Sequence, residues 1–175
     1  DTPDVDLNIS REMLQQTRVL QVISRNLEKK IKNELLRIQK DDRKKYQTFW
    51  DAFGPQIKFG ITSGADRSIL EDLLLFSSSE VPEGTTLKEY VARMKEDQTY
   101  IYYACGEDVG QIAKLPQVER ILDKGYEILY CTEDVDDFVM KAMAELDGKQ
   151  FKSVADEDAL PQTEEEKKAV EEKAE

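Results

Sequence analysis

The chain has 175 residues, of which 35% are charged and 39% are hydrophobic, and its net charge is −12 at pH 7. This length allows one or two compact domains. A protein that binds nucleic acid or an anionic membrane needs a basic face, so the acidic balance argues against both partners. The sequence contains no histidine, which removes the commonest general base and the commonest metal ligand.

The sequence shows neither a run of about 18 apolar residues nor a signal peptide. We therefore expect a soluble, cytoplasmic segment of a longer protein. Two cysteines, Cys105 and Cys131, are too few for a disulfide framework or a zinc site, and no metal site is expected.

The first half of the chain is predicted to be helical. Residues 1–9 are expected to form an extended lead-in, and a long helix follows over residues 18–40. Its apolar residues recur at steps of three and four positions: Val19, Val22, Ile23, Leu27, Ile31, Leu35 and Ile38. Asp41 and Asp42 should end this helix and cap the next one.

A second helix is predicted to carry an aromatic stripe in which Trp50 and Phe53 are core residues. Gly54 and Pro55 fall inside it, so we expect a stop or a kink there. A third helix is predicted over residues 65–76, started by Thr62–Gly64, and residues 77–84 are predicted to be a loop.

The second half alternates strands with helices. Thr86 and Glu89 have capping-box spacing at the start of a short helix. Strands are predicted at 100–106, 126–131 and 150–154, with helices over 107–114, 116–124 and 135–146, and Gly125 as a helix stop. This alternation predicts an α/β fold: a helical region, then a small α-β-α sandwich with a short parallel or mixed sheet. Residues 156–175 are acidic and predicted to be a solvated helix or a disordered linker.

Arg11 admits two interpretations. It can be a solvated charge in the first turn of a helix capped by Ser10. Alternatively, its fork-shaped guanidinium can be presented to a phosphate, with Gln15 on the same helical face. The spacing alone does not choose between them.

Phe138 and the two cysteines also have two interpretations each. Phe138 is most simply a core or half-buried residue of a helix whose inward set would be Val135, Phe138, Val139, Ala142, Met143 and Leu146. A Phe–Met surface could instead bind apolar segments of partner proteins.

Cys105 and Cys131 each end a predicted strand, where ligands of open α/β sheets bind, but free structural thiols are the favoured interpretation.

Four stretches resemble the middle domain of the ninety-kilodalton heat-shock chaperones, in particular the bacterial HtpG-type members. They are LNISREMLQQ (7–16), KYQTFWDAFGPQIKFGI (45–61), TLKEYVARMKEDQTYIYYACGE (86–107) and DVDDFVMKAMAELDGKQFKSV (134–154). They occur in order and cover almost the whole chain.

This resemblance implies a dimeric, ATP-dependent chaperone whose nucleotide, with Mg²⁺, is bound by an N-terminal ATPase domain. It implies that Arg11 reaches the γ-phosphate of ATP from the middle domain and that Gln15 belongs to the same catalytic loop. The chain itself would then be no enzyme. Asp137 and Phe138 match an acidic–aromatic position implicated in binding client proteins, where bacterial members often carry Glu and Trp.

The resemblance also implies a division into four parts. Residues 1–16 would be a catalytic-loop segment and residues 17–84 a long helix with a helical connector. Residues 85–154 would form a small α/β subdomain, and residues 155–175 would lead toward a dimerisation domain. Two other interpretations stay open: an autonomous protein-interaction module, and a small α/β enzyme using the strand ends near Cys105 and Cys131.

Overall fold

The computed structural model describes residues 3–160, and between residues 3 and 24 it describes the side chains of residues 11, 15, 18, 19 and 21–23 only. The chain divides into two compact units, one reaching Ala52 and the other beginning at Phe53. The four-part division that the resemblance implies stays a prediction.

The first unit consists of a 39-residue helix, α1 (Pro3–Asp41), and the start of α2 (Arg43–Thr62). The prediction of an extended lead-in over residues 1–9 is wrong from Pro3 onward. Proline has a fixed φ that suits the first turn of a helix, and acidic residues are favourable there. Between the helices, the Lys45 N–H donates to Asp42 Oδ1 at 3.2 Å, which confirms the predicted cap.

The apolar stripe of α1 lies on one helix as predicted, and much of it is exposed to solvent. Leu35 and Ile38 are half-buried. Each of the other described members has about half or more of its surface exposed: Val19, Val22, Ile23, Leu27 and Ile31.

Helix α2 continues through Pro55, so the predicted stop is wrong, and the alternative of a kink stays a prediction. Proline removes one helical hydrogen bond, and burial of the following residues holds the helix together. The buried face within the second unit consists of Gly54, Ile57, Lys58 and Ile61.

Two aromatic residues of α2 depart from their predicted core positions. Phe53 is 53% exposed because it lies about 100° around the helix from Gly54, at the edge of the buried face. Trp50 is half-buried, as is common for a side chain too large to be enclosed completely.

The third predicted helix is mostly wrong. Helix α2 ends at Thr62, Gly64 has a φ of 87°, and Asp66 caps a short helix, α3 (Arg67–Leu70). A 3-10 turn (Glu71–Leu73) follows. The next residues, Leu74, Leu75 and Phe76, are all buried. A continuous buried run suits an extended chain rather than a helix with one apolar face. The buried run leads into strand β1 (Ser77–Ser78), which lies inside the predicted loop.

The second unit is built around a five-stranded mixed sheet, which confirms the predicted α/β fold. Its further elements are α4 (Leu87–Arg93), β2 (Ile101–Cys105), α5 (Val109–Ala113), α6 (Pro116–Asp123), β3 (Ile128–Cys131), α7 (Asp134–Met143), β4 (Glu145–Leu146) and β5 (Lys149–Ser153). The strand order is β1-β3-β2-β5-β4, in which β2 runs parallel to β3 and β5 while β1 and β4 are antiparallel edges.

Local signals explain several element ends. Thr86 Oγ1 accepts from the Glu89 N–H at 3.2 Å, which confirms the predicted cap of α4. Gly125, with a φ of 82°, follows α6 as predicted. Helix α7 ends three residues earlier than predicted, because Leu146 belongs to β4 and the Asp147–Gly148 turn joins β4 to β5.

Both faces of the central strands β2 and β3 are buried. On one face a cluster forms from Tyr102, Ala104, Ile112, Val118, Ile121, Ile128, Tyr130, Val154 and Ala159. The register places Tyr103 beside Leu129 and Cys105 beside Cys131 on the opposite face, where Tyr103 contacts Asp137 of α7.

The first residues of the predicted acidic tail pack against the sheet, since Ala159 is buried; residues 161–175 lie outside the described residues. Among residues 3–160, no helix has the length and apolar character needed to cross a membrane.

Candidate functional site

The first turn of α7 is anchored by a buried lysine from α2. Lys58 Nζ lies 2.6 Å from Asp136 Oδ1 and 3.3 Å from Glu133 Oε2, and it also lies 5.2 Å from the centre of the Phe76 ring. Asp136 Oδ2 accepts from the Glu133 N–H at 3.2 Å. Burial raises the pKa of Asp136, and the neighbouring Lys58 opposes this shift. The position of α7 is therefore fixed at its N-terminal end.

The last turn of α7 is held by a second cation. Arg67 of α3 donates to the backbone carbonyls of Met143 and Glu145, while its Nε pairs with Glu71 Oε2 at 2.8 Å. A guanidinium at this place satisfies carbonyl groups that the end of a helix leaves without partners. Helix α7 is thus held by side-chain contacts at both of its ends.

Asp137 is held between a strand and its own helix. Tyr103 Oη of β2 donates to Asp137 Oδ1 at 3.4 Å, and Lys141 Nζ, one helical turn on, lies 2.6 Å from Asp137 Oδ2. The carboxylate raises the pKa of Lys141. It also raises the pKa of Tyr103, although burial of the phenol is the larger cause. The Asp137 side chain remains 37% exposed, so it is oriented but accessible.

Phe138, the next residue, is 63% exposed. The prediction that it is a core or half-buried residue is wrong, and so is the inward position of Ala142, which is exposed. The buried face of α7 consists of Asp136, Val139, Met140 and Met143. Successive residues are about 100° apart on a helix, so Phe138 points away from this face. An exposed aromatic ring on an anchored helix is suited to contact another molecule.

An open groove adjoins Asp137. It has a volume of about 480 Å³ and is lined by Tyr103, Asp137, Met140, Lys141, Ala144, Glu145, Gln150, Phe151, Ser153 and Asp156. Aromatic, methionine and charged side chains thus occur together in one concave surface. Met140 and Tyr103 are buried, whereas Lys141, Glu145 and Gln150 are exposed, so the accessible lining is mainly polar and charged.

Arg11 and Gln15, the other predicted pair, both lie on α1 with exposed side chains. They are four positions apart in the sequence, so they occupy neighbouring turns of one helical face. The sequence-predicted residues therefore form two pairs, Arg11–Gln15 in the first unit and Asp137–Phe138 in the second.

A profile of the Hsp90 protein family matches residues 1–175, the full length of the sequence. The chain belongs to this family. The Hsp90-family chain is 51% identical to the chaperone protein HtpG of Bacillus subtilis over 174 residues, which is 98% of this chain and 28% of that protein. It is 51% identical to HtpG of Alkaliphilus oremlandii and 52% identical to HtpG of Clostridium acetobutylicum, each over 90% of this chain and 26% of the relative. The chain therefore spans about a quarter of the length of these relatives.

Several residues that shape the sites of this Hsp90-family chain were not predicted. Lys141 could have been found, because an acidic residue four positions before a lysine is a favourable helical pair. The contact of Tyr103 with Asp137 depends on the packing of β2 against α7, which no local sequence pattern predicts. No sequence pattern indicated that Lys58 is buried, and a buried lysine is rare.

Proposed function

We propose that this Hsp90-family chain is part of the middle domain of an ATP-dependent chaperone and that it binds client proteins through α7. The match to the Hsp90 family along all 175 residues supports the chaperone assignment. The whole protein would be a cytoplasmic homodimer joined through a C-terminal domain. ATP and Mg²⁺ would be held by its N-terminal domain, outside this sequence.

Client binding is proposed because Phe138 is exposed beside Asp137, whose carboxylate is oriented by Tyr103 and Lys141. Unfolded proteins expose apolar and basic segments together. An aromatic ring contributes apolar contact area at a small entropic cost, and a neighbouring carboxylate favours basic residues beside it. The anchored helix keeps both groups in place before the client arrives, which reduces the cost of ordering them.

Arg11 is proposed to place positive charge near the γ-phosphate of ATP in the whole protein, and Gln15 to support Arg11 from the next turn of α1. The exposed positions of both side chains on α1 are compatible with a ligand outside the chain's own core. A guanidinium suits this task because it is always charged and can pair with two phosphate oxygens. ATP, when bound, supplies the phosphoryl group whose developing charge Arg11 would stabilise.

ATP turnover by the whole protein carrying Arg11→Ala tests this second role. We expect turnover to fall by roughly 10³-fold or more, with nucleotide affinity almost unchanged, because an arginine supplied by another domain acts mainly in the transition state. Arg18→Ala is the matched control, since Arg18 is an exposed arginine of the same helix. Unchanged turnover in Arg11→Ala would overturn the role of Arg11. If client binding still depended on Phe138, the chain would instead be a protein-interaction module.

A further inference from the structure

The two cysteines are neighbours across two parallel strands. Cys105 ends β2, Cys131 ends β3, and their Cα atoms are register partners. Paired residues of adjacent strands lie on the same face of a sheet, and the strands are about 4.8 Å apart. That spacing falls within the range of about 4.4–6.8 Å over which Cα atoms can be joined by a disulfide. The thiols of Cys105 and Cys131 lie close enough for each to shift the pKa of the other, and both thiols are free.

The two thiols differ in access to solvent. Cys131 is 1% exposed, whereas Cys105 is exposed. Both line a hollow of about 620 Å³ together with Gly106, Glu107, Thr132, Glu133, Asp134 and Asp137. A small reagent can therefore reach Cys105 first, and Cys131 lies beside it on the neighbouring strand.

The two thiols also differ in acidity. The hydrogen bond from Cys131 lowers the pKa of Cys105, against the opposing effects of burial and of Asp136 and Asp137, with Lys141 assisting. The same hydrogen bond and burial raise the pKa of Cys131. Cys105 is therefore the better thiolate nucleophile, and Cys131 keeps its proton.

We propose that Cys105 and Cys131 form a dithiol modification site that hydrogen peroxide converts to a reversible cross-strand disulfide. The Cys105 thiolate attacks one peroxide oxygen, the O–O bond breaks, and sulfenic acid and hydroxide form. That hydroxide removes the Cys131 proton and becomes water, the Cys131 thiolate attacks the Cys105 sulfur, the S–O bond breaks, and a hydroxide ion leaves. The two thiols lose two electrons in total, and the peroxide gains them.

Two points favour disulfide formation over metal binding and over further oxidation of Cys105. Within residues 3–160, no group of three or more histidine, cysteine or acidic residues is arranged to hold a metal ion. A sulfenic acid on Cys105 would form beside a second thiol, which favours disulfide closure over further oxidation. The site does not depend on the proposed chaperone function, because it requires only the strand ends.

Peptide mapping of the whole reduced protein after mild peroxide treatment tests the proposal. We expect a linked peptide pair containing Cys105 and Cys131, lighter by two hydrogen atoms than the separate peptides, and loss of both alkylatable thiols. A dithiol reductant should restore both. In Cys131→Ser we expect Cys105 to accumulate as sulfenic acid, trapped by dimedone, because the second sulfur is missing.

Two results would overturn the proposal. One is that both cysteines of the wild-type protein stay alkylatable after peroxide treatment. The other is that Cys105 proceeds to sulfinic acid without any link to Cys131. The wild-type mapping decides the question even if Cys131→Ser folds poorly, and Cys105→Ser provides the control in which Cys131 should stay reduced.

Discussion

Lys58 Nζ of α2 lies 2.6 Å from Asp136 Oδ1 of α7, and the two side chains are only 5% and 3% exposed. Burying a charge costs free energy because the ion loses its hydration. A buried charge is therefore tolerated only when an opposite charge lies beside it. This pair joins the helix that precedes the sheet to the helix that carries Phe138. It therefore links the stability of the α/β unit to the placement of the proposed client site.

Lys58→Met should destabilise the α/β unit by about 3–5 kcal/mol, because it leaves the Asp136 carboxylate buried without its cation. Urea unfolding followed by circular dichroism measures the change. Lys88→Met is the matched control: Lys88 pairs with Asp72 but is 63% exposed, so its loss should cost less than about 1 kcal/mol. Lys58→Met combined with Asp136→Leu should recover much of the loss. Equal effects of Lys58→Met and Lys88→Met would show that burial of the pair has no energetic importance.

Phe138→Ala should change the free energy of unfolding by less than about 1 kcal/mol, because its ring is largely in solvent. Met143→Ala on the same helix should cost about 2–5 kcal/mol, since Met143 is 0% exposed and its truncation leaves a cavity. Thermal or urea unfolding distinguishes the two. A loss in Phe138→Ala as large as in Met143→Ala would mean that Phe138 is a core residue after all.

The alkylation of Cys105 should depend on pH with a midpoint below that of an ordinary thiol. The hydrogen bond from Cys131 stabilises the Cys105 thiolate, so the thiolate persists at lower pH. Cys131→Ala removes the donor and should move the midpoint to higher pH, whereas Cys131→Ser keeps a hydroxyl donor and should largely preserve it. Iodoacetamide rates, resolved by peptide, give the midpoint. A midpoint that does not move in Cys131→Ala would contradict the hydrogen-bond explanation.

The order of strands and helices in the second half could be predicted because each element has a local signal. The local signals are the Thr86–Glu89 spacing, the continuous apolar runs of β2 and β3, and Gly125, and each acts within a few residues. These signals predicted a short parallel or mixed sheet and placed Cys105 and Cys131 at strand ends, whereas the antiparallel edge strands β1 and β4 were not predicted.

The errors arose where tertiary contacts overrule local pattern. Pro55 should stop a helix, but α2 continues because the residues after it are buried. Phe138 has apolar character but lies off the face defined by Val139, Met140 and Met143, and its spacing from Val135 and Ala142 made it appear part of that face. The contact of Asp137 with Tyr103 follows from the packing of β2 against α7, which the sequence does not encode locally.

Client binding by the whole protein carrying Phe138→Ala tests the central claim most directly. The measurement is the affinity for a fluorescently labelled, permanently unfolded model protein. Phe59→Ala is the matched control, because Phe59 is a phenylalanine of α2 with 68% exposure. We predict that Phe138→Ala weakens binding by roughly tenfold, as expected for the loss of one aromatic anchor, and that Phe59→Ala leaves it unchanged. Unchanged binding in Phe138→Ala, or equal weakening in both variants, would contradict a client site on α7.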